Sequence, residues 1–214
     1  MFSTPLLRKI FVPILLLSNT AIAGIGSSQN VHINKSINKD LFLNSRINLS
    51  KENGFTGETE SKFYDLSLGV KTEDSNQLEI GIRKYYFFGP SFTIDENRLQ
   101  LIATHFFKTA NIKGFVRGRI ENRFYDQSDS RIRSRIETNF SLLSQFNVRP
   151  NLGVELFYEP ENEGLNMVWL SFGGKTQLDK NLGLKLGLKQ KIIKGNQGWS
   201  KSHQFTTNFF YKFP

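Results

Sequence analysis

The chain has 214 residues, with 28 Lys or Arg against 19 Asp or Glu, a formal charge of +9, 13% aromatic residues and no cysteine. The missing cysteines exclude a disulfide scaffold, a thiolate zinc site and a cysteine nucleophile. A mean hydropathy of -0.35 excludes a bundle of membrane helices but not a membrane barrel, whose strands need an apolar residue only at every second position.

The first segment is a candidate leader. Arg8 and Lys9 precede an apolar run from Ile10 to Leu17, and the small-residue site Ala21-Ile22-Ala23 is followed by Gly24. This is the layout of a secretory signal peptide over residues 1–23, too short in its apolar part to span a bilayer as a helix. The chain is therefore expected to be exported from the cytoplasm of a Gram-negative cell. Residues 24–40 follow as a periplasmic lead-in or short N-terminal strand, since Val31 to Ile37 alternate apolar and polar.

From residue 41 the period is two throughout. The spacing predicts strands over 41–49, 63–71, 76–86, 98–107, 112–125, 131–142, 149–158, 167–178, 182–193 and 202–213. In Leu182 to Lys189 every even position is Leu and every odd position Gly or Lys, a pattern that no helix can bury on one side. Short turns are expected at 72–75, 108–111 and 179–181, with longer loops at 50–62, 87–97, 159–166 and 194–201. That alternation of connection length fits a closed antiparallel transmembrane β-barrel over 41–214, with periplasmic turns and outer loops. An even count of about ten strands follows, twelve being the alternative; a soluble sandwich is the competing all-β reading.

The closing segment Phe205 to Phe213 places Phe205, Thr207, Phe209, Tyr211 and Phe213 on one face, as an outward, lipid-facing closing strand would, and Pro214 departs from the usual terminal aromatic. Aromatics collect at the ends of other spans too, at Tyr85 to Phe88, Phe106 and Phe107, Phe124 and Tyr125, and Phe157 and Tyr158, where interfacial girdles lie.

The most concentrated polar feature is one hairpin. Arg117, Arg119, Glu121 and Arg123 share a face of the span 112–125, and Arg131, Arg133, Arg135 and Glu137 share a face of 131–142. Each Arg facing lipid at mid-height would cost about 2 to 4 kcal/mol, so this face must line the lumen, together with Glu155 of the next span. Opposite charges should stand directly across the hairpin, which predicts Glu121 opposite Arg135 and Arg119 opposite Glu137. The lumen is then either a plug of mutually satisfied charges or a basic constriction passing small anionic solutes, and a barrel of about ten strands favours the plug.

Enzyme chemistry finds little support. His32, His105 and His203 are the three histidines; His203 follows Ser202 but beside Lys201 and Gln204 in a loop-end setting, and no pair has metal-ligand spacing. The acidic run Glu159 to Glu163 reads as a solvated loop, and Gly173-Gly174 lacks the helix that phosphate binding requires. No catalytic residue, metal or cofactor is expected, and inward arginines leave no exposed cationic face for nucleic acid.

Arg-Ile-Glu-Asn-Arg-Phe at 119–124, Arg-Ile-Arg-Ser-Arg-Ile at 131–136, Glu-Leu-Phe-Tyr at 155–158, Gly173 with Leu178, Asn181 to Gly187 and a closing strand near His203 resemble, in that order, the outer-membrane barrel family labelled domain of unknown function 2490. The resemblance implies a barrel in the outer membrane and carries no activity. A second, weaker similarity is to small barrels with arginine-lined lumens that pass acidic sugars, which use twelve strands. The expectation is thus a monomeric outer-membrane β-barrel of unassigned, structural role. Its partners would be membrane lipid, lipopolysaccharide and, during insertion, the barrel assembly machinery. The alternative functions are a narrow anion channel and, third, a lipid-modifying enzyme.

Overall fold

The computed structural model describes residues 25–54, 57–72, 75–89, 93–124, 129–140, 147–160, 164–195 and 198–213. The expected leader at 1–23, the tip of the hairpin after residue 124, the acidic loop residues Glu161 to Glu163 and Pro214 lie outside them.

Among the described residues, each of the ten predicted spans is built on a strand. The elements are β1 (Gly26–Ser36), β2 (Leu41–Gly54), β3 (Gly57–Thr72), β4 (Asn76–Phe88), β5 (Thr93–Lys108), β6 (Ile112–Phe124), β7 (Asp129–Phe140), β8 (Val148–Glu159), β9 (Gly164–Gln177), β10 (Leu182–Gly195) and β11 (Gly198–Phe213). They form one closed barrel in which each strand pairs antiparallel with its chain neighbours, and β1 closes the ring against β11 in parallel. Closure leaves no free edge, which is what a sheet in hydrocarbon requires.

The count is eleven, where the even-number rule gave ten with twelve as the alternative. The additional strand is β1. Asn38 makes it possible: its Oδ1 accepts hydrogen bonds from the backbone N–H of Asp40 (2.9 Å) and Leu41 (2.7 Å), folding the chain tightly into a β1–β2 hairpin. β1 then fills the gap that β2 and β11 would otherwise present as two edges. An odd count forces one parallel seam, and Gly26 aligns with Gln204 and Lys35 with Phe213. β1 consequently starts on the side where β11 begins, level with Gln204 and short of the rim, and β11 ends at the opposite rim.

The long loops expected at 50–62, 87–97, 159–166 and 194–201 are largely strand. β2 and β3 stay paired out to Gly54 and Gly57, and β10 and β11 to Gly195 and Gly198. Continuing the ladder satisfies backbone groups that a loop would leave to water. At the last of these hairpins Gly198 has φ of 106°, a conformation open to glycine at little cost.

The two faces separate cleanly. Leu78, Ile80 and Ile82 of β4, Leu99 and Leu101 of β5, Ile120 of β6, Ile136 of β7 and Leu188 of β10 are exposed on the outside. Their neighbours Glu79, Arg83, Gln100, Arg119, Glu121 and Lys185 are buried inside. Among the described residues no helix is long and apolar enough to cross a membrane; the apolar surface is the outer wall of the barrel. On the closing strand Phe205 is exposed outward as expected, whereas Thr207 and Phe209 are buried. Inside, near one rim, the Phe42 ring lies where a side chain on Gly69 would project.

Candidate functional site: the charged lumen

The lumen is organised around one carboxylate. Glu121 on β6 is fully buried, and it accepts hydrogen bonds from Arg119 Nη1 (3.1 Å), Arg133 Nη1 (3.1 Å), Arg98 Nη1 (3.3 Å) and Gln100 Nε2 (3.1 Å). Arg83 Nη1 stands 3.6 Å away. Four strands, β4 to β7, thus aim guanidinium groups at a single acid.

From this hub, ion pairs run in both directions. Arg83 and Arg46 donate to Asp65 at 2.7 and 2.5 Å. Arg133 donates to Glu155 (2.7 Å), Arg135 lies between Glu155 (3.9 Å) and Glu137 (2.5 Å), and Lys185 of β10 reaches Glu137 at 2.8 Å. Alternating in sign, the chain Arg46, Asp65, Arg83, Glu121, Arg133, Glu155, Arg135, Glu137, Lys185 runs from β2 to β10. Its last step passes over β8 and β9, so side chains meet across the bore. Nearer the loop rim Glu159 accepts from Arg131 Nε (2.5 Å) and pairs with Arg123 (3.1 Å), and Arg98 Nε donates to Glu96 (2.5 Å).

Arginine suits this task because its planar fork can serve two acids at once, and a buried charge without a partner costs several kcal/mol. Aromatic rings back several of the cations. Arg83 lies over Phe63 at 4.4 Å, Arg98 over Tyr85 at 4.6 Å and Arg133 over Phe157 at 4.4 Å, which screens the guanidinium faces that hydrogen bonds leave unused.

Every residue named from sequence as lumen-lining sits on the inner face: Arg117, Arg119, Glu121 and Arg123 on β6, Arg131, Arg133, Arg135 and Glu137 on β7, and Glu155 on β8. The register differs from expectation. Glu121 stands opposite Arg131, Arg119 opposite Arg133 and Arg117 opposite Arg135, so neither Glu121 with Arg135 nor Arg119 with Glu137 is a direct pair. Like charges face each other because the long guanidinium arms bond diagonally and because β4, β5 and β8 supply partners that a two-strand comparison omits. Sequence reasoning also missed Arg46, Asp65, Arg83 and Arg98. Arg46 and Asp65 stand without a charged neighbour on their face, whereas Arg83 adjoins Lys84 and Arg98 follows Asp95 and Glu96; for all four, inward parity was the available signal.

The opposite wall is built differently. Strands β9, β10 and β11 contain no Asp or Glu. Apart from Lys185, which reaches Glu137, three of their inward lysines lie over rings: Lys189 and Lys191 over Trp169 at 4.3 and 5.1 Å, and Lys175 over Phe210 at 4.7 Å. Trp169 in turn packs on Phe157, with centroids 4.4 Å apart.

In the half of the barrel nearer the turn rim a chamber of about 250 Å³ remains. Its lining includes His32, Asn44, Glu79, Arg117, Arg119 and Phe210. His32 stacks on Phe210 at 4.8 Å. The other two histidines are on the outer face, with His105 Nδ1 2.8 Å from Asn76 Oδ1 and His203 Nε2 3.1 Å from Gln190 Nε2. Among the described residues no three His, Asp or Glu side chains are grouped to hold a metal.

The family model described as "Protein of unknown function (DUF2490)" matches residues 27–202. No curated protein and no solved structure matches the chain.

Proposed function

We propose that this chain, which belongs to that family of proteins of unknown function, is an outer-membrane barrel with a structural role whose lumen is sealed from within. The observation that carries the reading is the hub at Glu121: a carboxylate with no accessible surface, gripped by arginines of several strands, and on this reading that cluster is the plug that fills the bore. The outward band of Leu and Ile supports a lipid environment, because an apolar surface of this extent on a soluble chain would drive aggregation. Lipid, with lipopolysaccharide in the outer leaflet, is then the partner of the outer wall, and insertion would use the assembly machinery common to such barrels. A monomer suffices, since closure leaves no edge to pair.

The third reading, a lipid-modifying enzyme, draws no support from the histidines. His105 and His203 each face an amide side chain, and His32 stacks on a ring.

A narrow anion channel is the second reading, and the acid-free wall of β9 to β11 favours it. Conductance decides between them. The purified full chain reconstituted in planar bilayers is expected to show no unitary current steps, and steps with an anion-selective reversal potential would establish the channel and end the sealed reading. Membrane fractionation of producing cells is expected to recover the protein with the outer membrane.

A further inference from the structure

Among the described residues, nine arginines point into the barrel between its rims, and eight of them have a carboxylate within 4 Å: Arg46, Arg83, Arg98, Arg119, Arg123, Arg131, Arg133 and Arg135. The exception is Arg117. Its Nε donates to Thr104 Oγ1 (3.0 Å) and its carbon atom Cζ lies 5.0 Å from the Phe115 ring centroid, which leaves the two terminal nitrogens of the fork without an anion. The inward acids divide in the same way. Asp65, Glu96, Glu121, Glu137, Glu155 and Glu159 are each paired with a cation, and Glu79 is not. Glu79 Oε2 accepts from Asn44 Nδ2 (2.8 Å) and Ser67 Oγ (2.8 Å), both neutral donors, and its Oε1 takes neither of these bonds.

The two exceptions line the same chamber. They are on β6 and β4 with β5 between them. Elsewhere in this lumen opposite charges have closed to contact; here they are held apart around an empty volume. The remaining lining includes Phe210 and Ile102, an apolar side for a carbon frame. A volume of about 250 Å³ lies just below the ~300–1,000 Å³ of ordinary ligand pockets, so the guest must be small.

We propose that this chamber is a binding site for a small zwitterion, an amino acid or a compound of that class, with its carboxylate on the Arg117 fork and its ammonium on Glu79. A planar fork takes a carboxylate in two parallel hydrogen bonds, and an ammonium has the three donors that a free carboxylate oxygen and nearby amides accept. The amide relay Asn34 Nδ2 to Asn44 Oδ1 (2.6 Å) and Asn44 Nδ2 to Glu79 fixes the rotamer of the acid, so the site is organised before the guest arrives. The site does not depend on whether the Glu121 hub conducts, because it lies to one side of it. Conductance therefore tests the sealed lumen, and binding tests this site.

The experiment is titration calorimetry on the refolded full chain in detergent, with three probes of similar size: L-serine, L-glycerate, which replaces the ammonium by a hydroxyl, and ethanolamine, which lacks the carboxylate. Saturable binding of L-serine at least about tenfold tighter than either of the others is expected, a tenfold difference being about 1.4 kcal/mol. Arg117→Gln and Glu79→Gln should each abolish it, while Lys113→Gln at the rim should not. If Arg117→Gln fails to fold, Arg117→Lys, which keeps the charge and loses the fork, is expected to weaken L-serine about tenfold. Equal binding of L-serine and L-glycerate, binding that survives Arg117→Gln or Glu79→Gln, or no binding of any probe, would each overturn the proposal.

Discussion

The two walls of the lumen solve one problem by different chemistry. From β2 to β8 the cations are arginines, and acids on the same strands turn them into a continuous ion-pair network through Asp65, Glu121, Glu155 and Glu137. From β9 to β11 the cations are lysines on strands with no acid: Lys185 reaches across the bore to Glu137, while Lys175, Lys189 and Lys191 lie over Phe210 and Trp169. A forked donor can link two acids and so propagate a network, whereas an ammonium is a point charge that a ring face can hold singly. The difference teaches that the arginine wall is cooperative, so that removing one member strands several others, and the lysine wall is modular.

The largest effect should come from breaking the network at its hub. Glu121→Ala removes the acid shared by Arg98, Arg119 and Arg133 and is expected to destabilise the refolded barrel by about 3 to 5 kcal/mol in urea unfolding followed by tryptophan fluorescence. A loss under about 1 kcal/mol would show that the arginines are satisfied without it. Next, Ile80→Arg puts the same guanidinium on the outer face of β4, and in bilayers it should cost about 2 to 4 kcal/mol. An unchanged midpoint would show that this face does not meet lipid at mid-height.

Smaller effects sharpen the lysine side. Trp169→Leu withdraws the ring beneath Lys189 and Lys191 and the packing on Phe157, with an expected cost of about 1 to 3 kcal/mol in heat-induced loss of sheet circular dichroism. Last, Lys175→Met keeps the stem over Phe210 and removes one charge, and it should shift stability by less than about 1 kcal/mol in the same assay. If Lys175→Met proved as damaging as Glu121→Ala, the lysine wall would be a network too.

Strand identity was legible because the period-two pattern and the cost of a charge in lipid act on each strand by itself. Leu182 to Lys189 and the arginine faces of β6 and β7 read inward and outward without any knowledge of their neighbours. Register was not legible in the same way. It depends on reach: Arg133 bonds Glu121 diagonally and Glu155 on the next strand at once, so a rule that matches charges directly across one hairpin selects the wrong alignment. β1 escaped the count because its outward side carries Ser27 and Gln29 rather than a full apolar row, and because the even-number rule argued against it. The turn chemistry of Asn38 was the signal in its favour. The chamber was beyond sequence altogether, since Glu79 and Arg117 stand out only once every other charge has been matched.

The parallel seam has a consequence for biogenesis. Gly26 can hydrogen-bond into the wall only after Gln204 is in place, so the cylinder cannot be completed until nearly the whole polypeptide has been delivered. The wall's first and last residues, Gly26 and Phe213, also lie toward opposite ends of the cylinder, so that in a bilayer an epitope beside each should be reached by antibody from opposite faces.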